Sequence, residues 1–375
     1  MKRTKIFAAY LPQYHETEDN NRFWGKGFTD WVGVKKAAPL FENHNQPRVP
    51  LDKNYYDLLN PEVIAWQARI AKEYGIDGFN IYHYWFKDGK QELQKPAEIL
   101  LEHNDIDIEY FFTWDNASWK RTWDNVQGND WAPAFDDKSR IQKGTGILVE
   151  FQYGGEKQWR EHFMYLLPFF QDTRYLKIDN KPVFLFIGRS DEETLKKMYK
   201  YWNDCAIEFG FDGIYSGTKK KNFFNKAVLD TTFCYEPETS AWGRRRAIDK
   251  RLVDLFGIKP KRDGAAKYIY TYEKVWKRII ENARKNANKE ILGGFVRYDD
   301  TPRRGNEALI VLGETPDMFE KYMSQLYEIC CNNNKEFLLL TAWNEWGEGA
   351  YLEPDVEDKY GYLEALKRAK ESLNF

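Results

Sequence analysis

The chain of 375 residues predicts an α/β fold, a single (β/α)8 TIM barrel spanning 1–375, with long loops after strands one and three. Two observations carry this. Short apolar runs that read as buried strands alternate with longer amphipathic runs along the whole length, and eight strand-then-helix units imply closure into a barrel. A third weighs against the alternative, an open doubly wound sheet, because no G-x-G-x-x-G follows the first strand.

The elements come in order. KIFAAYL is the first strand, and PEVIAWQARIAKEYG is an amphipathic helix with Pro61 in its first turn and Gly75 closing it. IDGFNIYHYW reads as strand two, KPAEILLEHN as a helix and IEYFFTW as strand three. EKQWREHFMYLLPFF is helical, with Pro168 expected to end or kink it. KPVFLFIG is strand four, and the helix DEETLKKMYKYWNDCAIEFG follows with Asp191 as N-cap. FDGIYSG and TTFCYEP are strands five and six, with a weakly marked helix between them. YEKVWKRIIENARKN leads to GGFVRYDD as strand seven, and PDMFEKYMSQLYEICC leads to EFLLLTAW as strand eight. GYLEALKRAKESL closes the chain as a helix. Segments 10–60 and 115–150 are long connections, and in a compact domain such lengths are usually functional.

Composition narrows the chemistry. Fourteen Trp, 24 Tyr and 25 Phe make an aromatic share of 17%, and such rings offer apolar faces with polar edges, suited to sugars or nucleobases. A net charge of -2 lacks the basic excess of a nucleic-acid binder. The short clusters at 219–221 and 244–246 read as solvated loops or as a site for an anionic substrate group. Four cysteines are too few and too irregular for a disulfide framework, and no CxxC or His-rich spacing marks zinc. No cofactor is expected. Pro12 interrupts the initial apolar run before it reaches signal-peptide length, and no 18-residue apolar run predicts membrane insertion. The default expectation is therefore cytoplasmic, or periplasmic or secreted if a signal has been removed.

In a barrel the carboxyl ends of the strands form the active face. Strand one delivers Tyr10, Gln13, Tyr14 and His15, and its loop carries Trp24 and Trp31. Strand two delivers Tyr82, His83, Tyr84 and Trp85, and strand three Trp114, Asp115 and Asn116, with Trp119, Arg121, Trp123 and Asp124 beyond. Glu236 and Glu238 follow strand six, and Arg297, Asp299 and Asp300 follow strand seven. Strand eight ends in Trp343, Asn344, Glu345, Trp346 and Glu348. Aromatics, amides and carboxylates converge there without Ser or Cys nucleophiles, an inventory that suits a carbohydrate site. Glycoside cleavage needs one carboxyl to protonate the leaving oxygen and a second to assist attack. Glu345 and Glu348, three residues apart beside two indoles, offer that pair, and an apolar pocket would raise a Glu pKa into the range of a general acid. The bland alternative is that one of them caps a following helix. His15 and His83 read as substrate contacts or as ordinary hydrogen-bonded histidines, and metal ligation is not expected. Trp66, Trp159, Trp202 and Trp276 fall on helices and read as core.

YLPQYH at 10–15, FWGKGFTDW at 23–31, EYGIDGFNIYHYWF at 73–86, YLLPFFQDTRYLKIDNKPVFLF at 165–186, DDTPRRG at 299–305 and WNEWGEG at 343–349 occur in this order. Together they resemble the WbsX-type proteins of polysaccharide gene clusters, which are often labelled glycosyltransferases. That family is similar to glycoside hydrolase family 99, the endo-α-mannosidases and endo-α-mannanases. The resemblance implies a retaining, endo-acting hydrolase of α-mannoside-like bonds in a bacterial poly- or oligosaccharide. It also implies a 1,2-anhydro sugar intermediate, with Glu345 as base on the 2-hydroxyl and Glu348 as acid/base at the leaving oxygen. Two positions depart from the pattern: Ala117 stands where the usual Glu is found, and Gly347 where family 99 favours His. The rival expectations are a glycosyltransferase of O-antigen or capsule synthesis and a non-catalytic carbohydrate-binding barrel. The DxD motif that a nucleotide-sugar enzyme usually carries occurs only at Asp105-Ile106-Asp107, on the face away from the strand ends.

Overall fold

The computed structural model describes residues 3–122, 128–129, 147–188, 192–219, 229–242 and 268–372. Eight parallel strands form the central ring: β1 (Lys5–Tyr10), β2 (Gly78–His83), β3 (Glu109–Trp114), β4 (Lys181–Phe186), β5 (Tyr215–Lys219), β6 (Thr231–Phe233), β7 (Glu290–Ile291 and Gly293–Phe295) and β8 (Phe337–Thr341). Each pairs with its neighbour in sequence from β1 to β6. The two halves of β7 close the ring, the first pairing with β6 and the second with β8, while β8 pairs with β1. The structure is thus the TIM-barrel-like α/β fold expected from the alternation.

The strands are apolar on both faces because the barrel interior buries one and the helical layer the other. β2 is buried at every residue. Its first residue, Gly78, is required by close approach: a Cβ there would lie 2.3 Å from the Phe7 ring and 2.5 Å from the Glu109 carbonyl oxygen.

Among the described residues seven principal helices pack outside: α1 (Pro61–Glu73), α2 (Lys95–Glu102), α3 (Glu156–Gln171), α4 (Glu192–Glu208), α5 (Tyr272–Asn286), α6 (Pro316–Asn332) and α7 (Gly361–Glu371). Local chemistry sets their ends. Asn60 accepts from the Glu62 amide with Pro61 opening α1, and Thr315 accepts from the Met318 amide with Pro316 opening α6. α3 does not stop at Pro168 but continues to Gln171; the proline lies in the final turn, where few bonds remain to be broken. The expected cap Asp191 and the connection between β5 and β6 at 220–228 lie outside the described residues. Trp159, Trp202 and Trp276 are core residues, as their helical placement suggested. All four cysteines are buried and none forms a disulfide.

The long connection after β1 holds two short helices, Glu18–Trp24 and Trp31–Lys36. The one after β3 contributes Trp119–Thr122, paired with Ile147–Val149. Both lie at the carboxyl end of the strands.

Candidate active site

Beyond β8 the chain turns back on itself. Asn344–Glu345 pairs antiparallel with Ala350–Tyr351, and Trp346–Glu348 forms one tight turn between them. Asn344 ties this hairpin to the end of β1: its Oδ1 accepts from the Leu11 amide (2.7 Å) and its Nδ2 donates to the Leu11 carbonyl (3.0 Å). The Tyr14 hydroxyl donates to the Asn344 carbonyl and accepts from the Trp346 amide. Glu345 makes no capping bond to the turn that follows it, which removes the capping explanation for that residue.

The two glutamates meet on one guanidinium. Arg303, from the short helix Thr301–Arg304 after β7, donates from Nη2 to Glu345 Oε2 at 3.0 Å and from Nη1 to Glu348 Oε1 at 2.9 Å. Its Nη2 also reaches Asp30 Oδ2 at 3.3 Å, and Asp30 accepts from the Gly347 amide at 3.1 Å. Gly347 has a physical reason to be glycine here. A Cβ at that position would lie 2.4 Å from Asp30 Oδ2 and 2.6 Å from Arg303 Nε, so the carboxylate and guanidinium occupy the room a side chain needs.

One guanidinium faces three carboxylates, too little positive charge for all three to ionise at low cost. Burial pushes the Glu345 carboxyl up to about 8, with Arg303 opposing and Glu348 and Asp30 reinforcing the rise. The two glutamates differ in access to solvent, the Glu345 side chain being 4% exposed and the Glu348 side chain 22%.

Above them lies a cavity of about 340 Å³. Gln13, Tyr82, Tyr84, Asp115, Trp119, Glu345 and Glu348, all anticipated from the sequence, line it. Tyr82 and Tyr235 share a hydroxyl–hydroxyl bond of 2.6 Å on one wall. The Asp115 backbone amide donates to the His83 carbonyl, but its carboxyl has no hydrogen-bond partner among the described residues, and burial raises that carboxyl to about 6 against the pull of Lys219. Ala117, at the departure from the family pattern, is exposed and does not line the cavity.

The other candidates are placed elsewhere. The two indoles beside the glutamates are foundation, not wall: Trp343 is fully buried against Phe79, and Trp346 stacks on Tyr351 and donates to Glu353 Oε2 at 2.6 Å. Tyr10 donates to Gln67 (2.7 Å), and Trp31 donates to the Tyr56 carbonyl (2.8 Å). His83 is bonded to His162 of α3 at 2.7 Å between Nε2 atoms, with Trp85 stacked on His162 and Trp114 edge-on to it. Burial drives the His83 imidazole down to about 3, so this is a neutral packing pair. Asn116 bridges Tyr153 and the Gly188 amide. Glu236 accepts from the amide and hydroxyl of Ser240. Arg297 is held by Asp355 (3.0 Å) and Asp358 (2.9 Å), and Asp299 accepts from His44, Gln46 and Thr301. His15 lines a separate hollow with Asp19, Lys90 and Glu92, and the Arg121 side chain lies outside the described residues.

Sequence reasoning missed Arg303, Lys219, Tyr235, Asp30 and the wall residues Leu11, Ser118 and Ile187. Several of these had a signal. Arg303 lies in DDTPRRG, Asp30 in FWGKGFTDW and Leu11 in YLPQYH, and Lys219 opens the basic run at 219–221, where it donates to Glu238 at 2.8 Å and lies over the Tyr235 ring. Among the described residues no group of three or more His, Cys, Asp or Glu side chains is arranged to hold a metal ion, and no helix is long and apolar enough to cross a membrane.

The fold is thus TIM-barrel-like, with paired carboxylates at the strand ends. The chain belongs to the family described as Glycosyltransferase WbsX, whose sequence pattern it matches over residues 6–366. Its relatives include the uncharacterized protein WxcX of Xanthomonas campestris pv. campestris (strain B100), 25% identical over 97% of this chain and 49% of the relative. The chain thus spans about half the length of the curated relatives it matches. In three dimensions it is similar to the family 99 endo-α-mannosidase of Bacteroides thetaiotaomicron, with a TM-score of 0.56 at 12% identity over 99% and 98% of the two chains. A glycoside hydrolase-like protein matches with a TM-score of 0.54 at 14% identity over 98% and 94%. At these identities the likeness establishes the fold.

Proposed function

We propose that the chain is a retaining glycoside hydrolase, endo-acting on α-mannoside-like bonds of a bacterial polysaccharide. The observation that carries this reading is the pair Glu345–Glu348 on one guanidinium at the base of an aromatic-walled cavity. Two carboxylates within reach of one guanidinium are close together, as retaining enzymes require. Burial raises the Glu345 carboxyl to about 8, which makes it a strong base once its own proton has been passed on, and in that state it takes the proton of a sugar 2-hydroxyl. As that proton leaves, O2 attacks C1, the bond from C1 to the leaving oxygen breaks, and Glu348 protonates that oxygen. The more exposed Glu348 then takes a proton from water, the water oxygen attacks C1, and the C1–O2 bond breaks as Glu345 returns its proton to O2. The cycle needs one proton shared between the pair, and the charge of the cluster supports that count; such a proton belongs to the coupled pair, not to one residue.

Product sizing on bacterial polysaccharides tests the reading. Chains shortened internally, with products released in the α configuration, are expected. Release of single sugars only, or of β products from an α-linked chain, would overturn endo action or retention respectively.

The second reading is the glycosyltransferase of the family's description. Lys219 at the cavity wall is the feature that favours it, as a cation available to a phosphate if Glu238 releases it. Saturable binding of a nucleotide sugar, competing with polysaccharide, would decide for it.

A further inference from the structure

We propose a second binding site, for a neutral glycan, in a groove of about 500 Å³ built from the segments after β1 and β8 and from α1. It is separate from the catalytic cavity and shares none of its lining residues; Trp346, which lies beneath the cavity, forms part of its floor with Tyr56 and Glu353. The proposal concerns binding alone and does not depend on the reaction assigned to Glu345 and Glu348.

Trp66 prompts the inference. The buried face of α1 is made by Ile64, Gln67, Ala68, Ile70 and Ala71, whereas Trp66 is half-buried and lines the groove. Tyr55 and Tyr360, also half-buried, line it as well. The Trp66 indole N–H, the Tyr55 and Tyr360 hydroxyls and the Asn54 side-chain amide have no hydrogen-bond partner among the described residues. Apolar ring faces with unengaged polar groups at their edges match a pyranose, which has apolar C–H faces and an equatorial rim of hydroxyls.

Charge selects a neutral ligand. Asp52 and Lys53 offset one another at the rim, and the Glu353 carboxylate below already accepts from Trp346, Tyr56 and Gln67. The groove is also pre-formed, as a ligand site should be. The Leu51 amide donates to Pro354 O (3.0 Å), the Val356 amide donates to Val49 O (2.9 Å), and Asp355 is anchored by Arg297. Between these ties Asp52 and Lys53 are both held at positive φ, 56° and 55°, a conformation that non-glycine residues adopt at a cost and that surrounding structure must enforce.

The test uses the full chain carrying Glu348→Gln, with isotope-labelled tryptophan indoles, titrated with the methyl α-pyranosides of mannose, glucose and galactose. Trp66→Phe assigns the Trp66 signal. A saturable shift of that signal with at least one probe is expected, weakened about tenfold by Tyr360→Ala, the equivalent of one stacking contact. Asn54→Ala, on an exposed loop position, is a second variant that leaves the packing untouched and is expected to weaken the same titration. The Trp119 signal, from the catalytic cavity, should be indifferent to both substitutions. A Trp66 signal that no probe moves overturns the proposal, as does one that moves in step with Trp119 and ignores both substitutions.

Discussion

Arg297 and Arg303 follow the same strand, are both buried, and each meets carboxylates at 2.9–3.0 Å. Their surroundings make them opposites. The Arg297 guanidinium is closed over by the rings of Tyr351 and Tyr362, and a second cation, Arg48, shares the charge of Glu314 and Asp358. Among the described residues Arg303 is the cation that forms ion pairs with Asp30, Glu345 and Glu348, and the last two face a cavity. The first cluster sets two cations against three carboxylates and is closed over by rings; the second sets one cation against three carboxylates and is open on one side. A buried ion cluster becomes chemistry when it has both an unbalanced charge and room for a ligand.

The largest effect should come from the carboxylates that face the room. Glu348→Gln and Glu345→Gln should each lower turnover of a cleaved polysaccharide by about 10³-fold, the range of a lost general acid or base, with unfolding by heat unchanged. If either variant keeps its turnover, the open cluster is not the catalytic one.

The closed cluster predicts the reverse. Arg297→Ala leaves Asp355 buried without its cation, and removing one partner of a buried pair costs about 3–5 kcal/mol. Urea unfolding should record that loss while turnover per folded molecule stays intact. A variant equally stable but inactive would place Arg297 in the site after all and erase the contrast.

Why did the sequence favour Arg297 and pass over Arg303? Both lie near the end of strand seven, and one-dimensional spacing says which residues reach the mouth of a barrel but not which are closed over there. Glu345 and Glu348 were legible because a strand ending in paired acids is unusual on any account. Trp343 and Trp346 were misread because an indole beside an acid looks the same whether it lines the void or supports the turn; Trp346 is fixed by Glu353 and Tyr351, contacts that only the hairpin after β8 creates. His83 was left open between substrate contact and ordinary hydrogen-bonded histidine because its partner, His162, comes from a helix 79 positions away. The barrel itself was plain, since eight apolar runs are a property of local sequence. The groove beside Trp66 was not, because half-burial on α1 depends on a loop that arrives from the far end of the chain.

Arg303→Met sharpens the comparison on a smaller scale. An opposite charge nearby holds a carboxyl pKa down by about 1–3 units, and Arg303 opposes the rise at Glu345, so removing this guanidinium should raise the titration of Glu345 further. The pH profile of kcat is expected to move to higher pH by at least one unit, whereas no substitution in the Arg297 cluster should move it. A profile that stays in place while turnover merely falls would assign Arg303 to packing.

Asp115 is the smallest case and the most diagnostic of the cavity's purpose. Burial raises its carboxyl to about 6, and that carboxyl accepts from no group among the described residues, which leaves it to accept from a bound hydroxyl. Ionised above about pH 6, it should hold substrate; protonated below, it loses part of its accepting capacity. KM should therefore rise as pH falls through 6, with kcat little changed. Asp115→Asn retains an acceptor oxygen without the charge, so its KM should be raised modestly at neutral pH, by a few-fold for one weakened hydrogen bond, and should lose this dependence on pH. Arg297 variants should keep it. If KM in the parent is flat across pH 6, Asp115 is paired once substrate binds, and the ligand's hydroxyl must be sought at Gln13 or Tyr84 instead.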